Sequence, residues 1–474
     1  MIAGLKPYRV MKDSGVPWLA QVPGHWEVRK LKYAVAFSGG GTPSKAQASY
    51  WVGRIPWVSP KDMTGPVISS SADHITEEAV AASATSIVGP GALLMVVRSG
   101  ILRRTIPVGI NSVDVALNQD MKALRPRNDL VCVQYLRFLV LGNEEALIRE
   151  WTKQGATVES IEHEYLANSR VPLPPLPEQA AIVRFLDHAD ARIRRYIRAK
   201  QKLIKLLEEQ KQGIIHHAVT RGIDPNVCLK PSGIEWLGHV PAHWQLERTK
   251  ALFRLRTQKS GSAHGMELLS IYTHIGVRPR RDLEEKGNKA STTDDYWIVR
   301  KGDLIVNKLL AWMGAVGVSE YEGVTSPAYD ILMPIRAVCP AFYHHLFRTK
   351  LYLQQFKQRS RGIMDMRLRL YFDQLGQIPI LVPPVDEQFA IVAFCVEATA
   401  GLEKTITATN REITLIREYR TRLIADVVTG KLDVREAASR LPDETDEPEP
   451  LDEADTEAGI ANHEEDTLPE EVEA

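Results

Sequence analysis

The chain has 474 residues, of which 44% are apolar and 25% are charged, and its formal net charge is zero. This composition is typical of a globular protein, and no apolar run is long enough to span a bilayer. The N-terminal sequence lacks the apolar core of a secretory signal, and the four cysteines lie far apart without a CxxC pair. We therefore expect a cytoplasmic protein with isolated buried thiols, no membrane association, and neither disulfides nor a zinc site.

The zero net charge hides a strong segregation of charge along the sequence. Residues 441–474 contain fifteen Asp and Glu and no Lys or Arg, which leaves 59 basic and 44 acidic side chains in the first 440 residues. A body this basic favours a polyanionic partner. The tail has the composition of a disordered segment. It could simply confer solubility, or it could imitate phosphates and compete for the basic surface.

Two motifs occur twice in the chain. SGVPWLAQVPGHW (Ser14–Trp26) returns as SGIEWLGHVPAHW (Ser232–Trp244), and PPLPEQAAIV (Pro174–Val183) returns as PPVDEQFAIV (Pro383–Val392). The offsets are 218 and 209 residues, so the repeat indicates two domain-sized copies and not a solenoid. Each copy opens with a Trp-rich lead-in and closes at a proline-marked helix start.

A long helix is predicted to close each copy. Between Glu178 and Ala218 there is no proline, and apolar residues recur at alternating spacings of three and four, with breaks at Lys200 and Gln210. This pattern is typical of a coiled-coil seam. A second helix is predicted from Glu387 to Val428. Amphipathic helices of ~40 residues require a partner, so we expect these two to pair with each other, and a pseudo-two-fold axis would make the pairing antiparallel. The alternative is that each helix packs on its own domain or on another protein.

The two segments between the repeated motifs, called the first and the second middle, have diverged in sequence. Both favour compact domains of mixed α and β structure. Strands are predicted at Ala92–Val97 and Ile101–Ile110, with a helix near Val131–Gly142. The second segment predicts strands at Leu268–Tyr272 and Asp303–Asn307 and a helix near Ala341–Lys357. The shared motifs suggest a task that both copies perform in the same way. The divergent middles suggest a second kind of task, which each copy performs in its own version.

Both middles carry basic and amide side chains in loop regions. Arg and Lys bind phosphates and read guanine, and Asn and Gln can read adenine; a solvated surface is the alternative for any one of them. The candidate nucleic-acid-binding residues in the first copy are Thr42, Ser44, Lys45, Lys61, Arg98, Arg103, Arg104, Asn118 and Gln119. Those in the second copy are Arg278, Arg280, Arg281, Lys308, Arg359, Arg361, Arg367 and Arg369.

Catalytic and metal-binding motifs are not apparent in the sequence. Gly39–Gly41 is not followed by the lysine of a P-loop and is interpreted as a flexible turn. The pairs His216–His217 and His344–His345 lack the spacing of a helical metal site. His25 and His243 each precede a Trp and recur with the repeat, which favours a structural contact over catalysis. We therefore expect a non-enzyme without catalytic residues, a metal or a cofactor of its own.

The order of these motifs closely resembles that of the specificity subunit of type I restriction–modification systems. The resemblance rests on the repeated W-x-x-x-P-x-H-W lead-in and P-P-x-x-E-Q helix start, and it covers residues 11–436. Within the middles, GGTPSK with YWVGRIPWVSPKDM, and GDLIVNKLLAWMGAVGVSEYEGVTSPAYD at Gly302–Asp330, are similar to known target-recognition domains. The acidic tail lies outside the family pattern.

The resemblance implies an α+β fold with two target-recognition domains in tandem, separated by two long helices that form an antiparallel coiled coil. The expected boundaries are 1–176 and 229–385 for the recognition domains, 177–222 and 386–430 for the helices, and 441–474 for the tail. The family binds a bipartite, asymmetric site in double-stranded DNA. It recruits two modification subunits, which use S-adenosylmethionine to methylate adenine, and restriction subunits, which use ATP and magnesium.

Two other classes of function stay open from the residues. One is a non-catalytic coiled-coil scaffold whose two domains bind proteins, which a steep salt dependence of DNA binding would argue against. The other is an enzyme with an unrecognised active site, which methyl transfer by the purified chain alone would support.

Overall fold

The computed structural model describes residues 5–127, 130–152, 159–261, 266–273, 275–282, 295–362 and 367–442. These residues fall into two compact units that both draw on the long helices. Unit 1 consists of residues 1–198 and 412–474, and unit 2 of residues 199–411. Each unit therefore combines one segment between repeated motifs with part of both long helices.

Unit 1 begins with an antiparallel lead-in hairpin, β1 (Met11–Asp13) and β2 (Gln21–Pro23). The strand that follows the repeated Trp, β3 (Glu27–Lys30), pairs antiparallel with β12 (Arg170–Leu173), the strand that precedes the helix start. The two ends of the first middle are thus joined in one ladder, and the sequence between them forms a closed domain.

Two sheets form the first middle. The five-stranded sheet has the order β4-β11-β8-β9-β6, and the three-stranded sheet has the order β10-β5-β7. Their strands are β4 (Val35–Gly39), β5 (Ile55–Val58), β6 (Val67–Ile68), β7 (Asp73–Ile75), β8 (Leu93–Val96), β9 (Val108–Asn111), β10 (Ala116–Leu117) and β11 (Met121–Pro126). The accompanying helices are α1 (Leu31–Ala34), α2 (Glu77–Ala81), α3 (Val133–Gly142), α4 (Glu144–Trp151) and α5 (His163–Asn168).

The predicted elements of this middle are partly confirmed. Strand β8 and helix α3 lie where the sequence placed them. The single strand predicted at Ile101–Ile110 is wrong, because its first part is a 3-10 helix (Gly100–Arg103) and only its end enters β9. Ser99 causes the change, since its hydroxyl accepts a hydrogen bond from the amide of Ile101 and thereby caps the helix.

Unit 2 repeats the frame of unit 1, which consists of the lead-in hairpin and the ladder that closes the domain. The sheets inside this frame are arranged differently. Its lead-in hairpin and closing ladder pair β13 with β14 and β15 with β24, and its largest sheet has the order β16-β23-β20-β21. The remaining pairs are β17 with β18 and β19 with β22. The frame strands are β13 (Leu229–Pro231), β14 (His239–Pro241), β15 (Gln245–Arg248) and β24 (Pro379–Val382). The inner strands are β16 (Phe253–Leu255), β17 (Leu269–Tyr272), β18 (Gly276–Pro279), β19 (Trp297–Val299), β20 (Leu304–Asn307), β21 (Val316–Val318), β22 (Gly323–Thr325) and β23 (Tyr329–Pro334).

The helices of the second middle differ from the prediction in one respect. The single helix expected near Ala341–Lys357 is two helices, α7 (Pro340–Phe347) and α8 (Lys350–Arg359). Thr349 has extended backbone angles and separates them, and its hydroxyl donates to the carbonyl of Leu346. A short helix, α9 (Phe372–Leu375), precedes β24.

The two long helices are α6 (Leu176–Arg221) and α10 (Val385–Val428), close to their predicted bounds. Each ends before a glycine with positive φ, Gly222 (+80°) and Gly430 (+76°), which terminates a helix at little steric cost. After α10, the short helix α11 (Arg435–Ser439) completes unit 1.

The long helices run antiparallel to each other within each unit, as the pseudo-two-fold repeat predicted. In unit 1, Asp190 of α6 pairs with Arg420 of α10, and Tyr196 donates to Glu412 at 2.5 Å. In unit 2, Lys211 of α6 lies 3.4 Å from Glu403 of α10. Residue numbers rise on one helix as they fall on the other, which defines the direction.

Both cores include apolar residues from the start of one long helix and the end of the other. The core of unit 1 contains Ile182 and Leu186 with Ile424 and Val427, and the core of unit 2 contains Val219 with Ile391. The predicted seam is less regular in its middle, where Tyr196 and Leu203 of α6 are 44% and 38% exposed. Helix pairing is thus supported most strongly where each domain also contributes to the core.

Other sequence expectations can be compared with the described residues. The four cysteines are free thiols; Cys339 and Cys395 are buried, but Cys228 is exposed, so the expectation of burial is wrong there. Among the described residues, no group of three or more potential ligands could hold a metal ion. None of their helices combines the length and apolarity that a membrane crossing requires. The acidic tail, predicted to be disordered, lies outside the described residues beyond Pro442.

Candidate nucleic-acid interface

The repeated motifs meet in a joint that is built twice. In unit 1 the carboxylate of Glu178, in the first turn of α6, accepts from the indole nitrogen of Trp26 at 3.0 Å and contacts the Nε2 of His25 at 2.8 Å. In unit 2, Glu387 makes the same contacts with Trp244 at 3.0 Å and with His243 at 2.8 Å. The prediction of a repeated structural contact for the two histidines is confirmed.

The glutamine that follows each glutamate extends the joint into the domain. Gln179 accepts from the amide of Cys132 at 2.8 Å and donates to the carbonyls of Leu130 and Pro174. Gln388 likewise accepts from the amide of Cys339 at 2.8 Å and donates to a proline carbonyl. Both glutamines are buried, and a buried backbone N–H needs such an acceptor. The Glu–Gln pair therefore fixes each domain to the start of its long helix.

The joint of unit 1 has one additional member that the sequence analysis missed. The hydroxyl of Tyr8 donates to Glu178, and burial together with this hydrogen bond raises the pKa of Tyr8, so that the hydroxyl stays a donor. Arg435 lies over the Tyr8 ring at 5.1 Å. Tyr8 has no counterpart in the repeat, and for this reason pattern comparison gave no signal for it.

Several candidate residues of the first middle converge at one edge of the two sheets. Strands β5 and β10 are parallel, so the loops after their carboxyl ends leave on the same side. Lys61 follows β5 and Asn118 follows β10, and the amide of Asn118 donates to the carbonyl of Val58 at 3.0 Å. Thr42 joins this edge because its hydroxyl donates to Gln119. Ser44 and Lys45 continue the same loop and are exposed.

The Asn118–Asp120 turn connects this edge to the arginine loop. The carbonyl of Asp120 accepts from the amide of Val97 at 2.8 Å and from that of Arg98 at 3.3 Å. Farther along this loop, Arg103 lies 3.2 Å from Glu159, and Arg104 is exposed. The structure thus brings the candidate residues of the first copy together on one surface, although they span almost eighty positions in the sequence.

The residues of this surface differ in whether their side chains are free to contact a ligand. Asn118 is 6% exposed and its side chain is engaged with Asp120, so it shapes the turn. Lys61 pairs with Asp73 at 2.8 Å, and this hydrogen bond raises the pKa of the lysine. An exposed pair of this kind contributes little stability, and a phosphate can replace its acidic partner. Lys45 and Arg98 are exposed and form no ion pair within the described part of the chain.

The triple glycine has a different role from the flexible turn that the sequence suggested. A Cβ added at Gly40 would lie 2.1 Å from the carbonyl oxygen of Asn118 and 2.2 Å from that of Leu117. A Cβ at Gly41 would lie 2.8 Å from the amide nitrogen of Thr85, whereas one at Gly39 would meet open space. The flexible-turn interpretation is therefore wrong for Gly40 and Gly41, where close backbone approach requires glycine.

The candidate residues of the second middle form two groups. The first lies on the β17–β18 hairpin, where Arg278 donates to the hydroxyl of Tyr321 at 2.8 Å and Arg281 lies 3.1 Å from Glu267. Arg280 follows β18 and is half-buried. The arginines of this hairpin thus lie next to a tyrosine from the β21–β22 loop and a carboxylate from the residues just before β17.

The second group surrounds the segment after α8. Arg361 and Arg369 form a two-way backbone bridge at 2.9 Å, and the amide of Leu370 donates to the carbonyl of Lys308 at 2.8 Å. The ammonium of Lys308 donates to the carbonyl of Pro327, and burial raises the pKa of the adjacent Asp330 carboxyl. Arg367 and Arg369 are exposed and have no ion pair among the described residues.

Arg359, the remaining candidate of the second middle, is half-buried at the end of α8. Its Nε atom has no hydrogen-bond partner among the described residues. The role of the seventeen candidates in binding stays a prediction. Lys45, Arg98, Arg367 and Arg369 are the best placed, because they combine exposure with a free charge.

Comparison with known proteins agrees with the motifs. The family described as "Type I restriction modification DNA specificity domain" matches residues 23–206. The EcoR124I/EcoR124II specificity subunit of Escherichia coli is 38% identical over 206 residues, which is 43% of this chain and 50% of that protein. The MjaIX specificity subunit of Methanocaldococcus jannaschii is 27% identical over 197 residues, or 40% of this chain and 43% of that protein. The matched segment thus spans about half the length of the curated relatives or less.

The fold also has a counterpart among solved structures. A chain from a study of complex assembly and conformational transition of the type I R-M system superposes with a TM-score of 0.60 at 16% identity. The match covers 87% of this chain and 99% of that chain. At this identity the likeness establishes the fold, and it extends over both middles and both long helices.

Proposed function

We propose that the chain is a specificity subunit of the type I restriction–modification family that its first half matches, and that it supplies DNA sequence specificity to such a complex. In this proposal each middle binds one half of a bipartite, asymmetric site in double-stranded DNA. The chain performs no chemistry. Methyl transfer with S-adenosylmethionine, and translocation and cleavage with ATP and magnesium, belong to its partner subunits.

The observation that carries this proposal is the duplicated joint around two unlike domains. The contacts of Glu178 with Trp26 and of Glu387 with Trp244 have the same length, 3.0 Å. The domains that these joints hold have different sheet orders and different surface residues. An identical frame suits two copies of one partner subunit, and divergent domains suit two different base sequences.

The charge distribution supports nucleic acid as the ligand of the middles. The first 440 residues carry fifteen more basic than acidic side chains, and exposed arginines and lysines gather on one surface in unit 1 and in two groups in unit 2. Phosphate contacts supply most of the affinity of such surfaces, and base-edge contacts supply specificity. We infer that these loops approach the DNA.

Co-expression with a cognate modification subunit tests this function. The purified chain alone should transfer no methyl group, whereas the complex should methylate adenine in one bipartite sequence. Native mass spectrometry should find two modification subunits per chain, and one such subunit at saturation would contradict two equivalent docking places. Affinity for DNA should fall steeply with salt; a flat dependence would favour the protein-binding scaffold instead.

A further inference from the structure

The start of the acidic tail is held against the first long helix. The guanidinium of Arg184 on α6 donates to the carbonyl oxygen of Leu441 at 2.8 Å and to that of Pro442 at 3.1 Å. The amide of Leu441 in turn donates to Ala438 of α11 at 3.3 Å. The tail therefore leaves the folded protein at a defined point on α6, within unit 1.

Basic side chains continue along α6 from this point. Arg192 and Arg195 are exposed, and within the described part of the chain neither forms an ion pair. At 100° per residue, Arg184, Arg192 and Arg195 lie within about 80° of each other around the helix and span roughly 17 Å of its length. We call these three residues the basic stripe.

The buried acidic group of this part of α6, Asp190, is engaged with other arginines and not with Arg192 or Arg195. Asp190 is 4% exposed on its side chain and is held by Arg194 at 3.2 Å and by Arg420. Arg192 and Arg195 thus face solvent as a concentrated positive charge next to the exit of the tail.

The tail that follows has the complementary charge and sufficient length. All fifteen acidic residues of the 441–474 segment lie beyond Pro442, and the segment has no Lys or Arg. A chain of this length can reach up to about 100 Å when fully extended, at about 3.3 Å per residue, which exceeds the length of the stripe. Tethering gives such a segment an effective concentration on the order of millimolar, so weak charge contacts suffice for occupancy.

We propose that the acidic C-terminal tail docks on the basic stripe of α6. The docked tail neutralises this face of the helix and keeps other polyanions away from it. The docking does not depend on the proposed function. Its consequence for DNA does rest on that function, because binding of nucleic acid would then be confined to the two middles.

The test uses a synthetic peptide of residues 443–474 and the chain truncated after Pro442. Fluorescence anisotropy should show salt-sensitive binding of the peptide to the truncated chain and much weaker binding to the full chain, whose own tail occupies the stripe. Substituting Arg192→Glu and Arg195→Glu should weaken peptide binding by about tenfold or more. The matched control, Arg54→Glu with Arg127→Glu, changes the net charge equally at exposed positions elsewhere in unit 1 and should bind the peptide nearly as the truncated chain does.

Two results would overturn the docking. The peptide could fail to bind the truncated chain in low salt, or the stripe variant and its control could bind it equally. Either would assign the tail to solubility or to another surface. This assay contains no DNA, so its outcome is separate from that of the proposed function. In a second assay, truncation should raise the affinity for a random-sequence duplex severalfold, and the stripe variant should lose that gain.

Discussion

Replacing Gly40 by alanine should disable the recognition surface of unit 1 while the chain still folds. The added methyl would lie 2.1 Å and 2.2 Å from the carbonyl oxygens of Asn118 and Leu117. Ordinary contacts require roughly 3.5 Å, so the backbone must move by more than about 1 Å. Neither oxygen belongs to a side chain that can rotate away, and overpacking of this kind costs about 1–3 kcal/mol.

The displaced turn is the one that organises the surface. It carries Gln119, which receives the hydrogen bond of Thr42, and its Asp120 carbonyl holds the amide of Arg98. We expect the Gly40→Ala chain, assembled with modification subunits, to bind its cognate duplex at least about tenfold more weakly, equivalent to about 1.4 kcal/mol. Fluorescence anisotropy measures the affinity, and hydrogen exchange with mass spectrometry should show faster exchange in the peptides of unit 1 only.

Gly39 provides the matched control for this substitution. It belongs to the same glycine run and ends β4, but a Cβ there meets nothing within 4 Å. Gly39→Ala should therefore bind DNA and exchange like the wild type. If Gly40→Ala also retained wild-type affinity and exchange, the close approach of the two backbones would not support the recognition surface.

Three further predictions concern the joints, buried histidines and exposed cations. Glu178→Ala should destabilise unit 1 more than Glu387→Ala destabilises unit 2, because it leaves Tyr8 as well as Trp26 without an acceptor. Each donor that loses its acceptor costs about 1–3 kcal/mol of stability. Equal changes in the hydrogen exchange of the two units would contradict the prediction. Unit 2 should lose stability as the pH falls from about 6.5 towards 4. Burial lowers the pKa of His344 to about 3 and that of His345 to about 4, so the unfolded state binds protons that the folded state does not, at up to about 1.4 kcal/mol per pH unit for each histidine. His344→Asn should reduce this dependence by about half in thermal unfolding, and an unchanged slope would rule out His344 as a source of it. Lys45→Gln with Arg98→Gln should weaken DNA binding and reduce its salt slope by about two, whereas an unchanged slope would exclude both from phosphate contact.

The long helices and the repeated joint were the parts of the fold that sequence predicted best. The periodicity predicted three of the four ends of α6 and α10 to within two residues. A forty-residue amphipathic pattern is compatible with few structures other than a long helix. The repeated Glu–Gln and His–Trp pairs marked the joint, although the sequence alone did not reveal that Glu178 accepts from Trp26. That contact depends on the ladder between β3 and β12, which brings together residues about 150 positions apart.

The middles were predicted less well, because local signals there compete with tertiary contacts. The run Ile101–Ile110 is rich in β-branched residues, yet the Ser99 cap turns its start into a 3-10 helix. Gly40 gave no sign of its role, since the strand end that it contacts is distant in sequence. In the sequence the candidate binding residues share only their chemical type, whereas the parallel pairing of β5 and β10 places Lys61 and Asn118 at one edge.

In the proposed function, each middle reads one half of a bipartite DNA site. Exchange of residues 30–170 for the equivalent domain of a relative with a different target tests it most directly, with methylation-aware sequencing of DNA from cells that also express the modification subunit. One half of the methylated motif should change to the half read by the donor, while the other half stays as in the wild type. A methylated motif in which both halves change, or in which neither does, would contradict it.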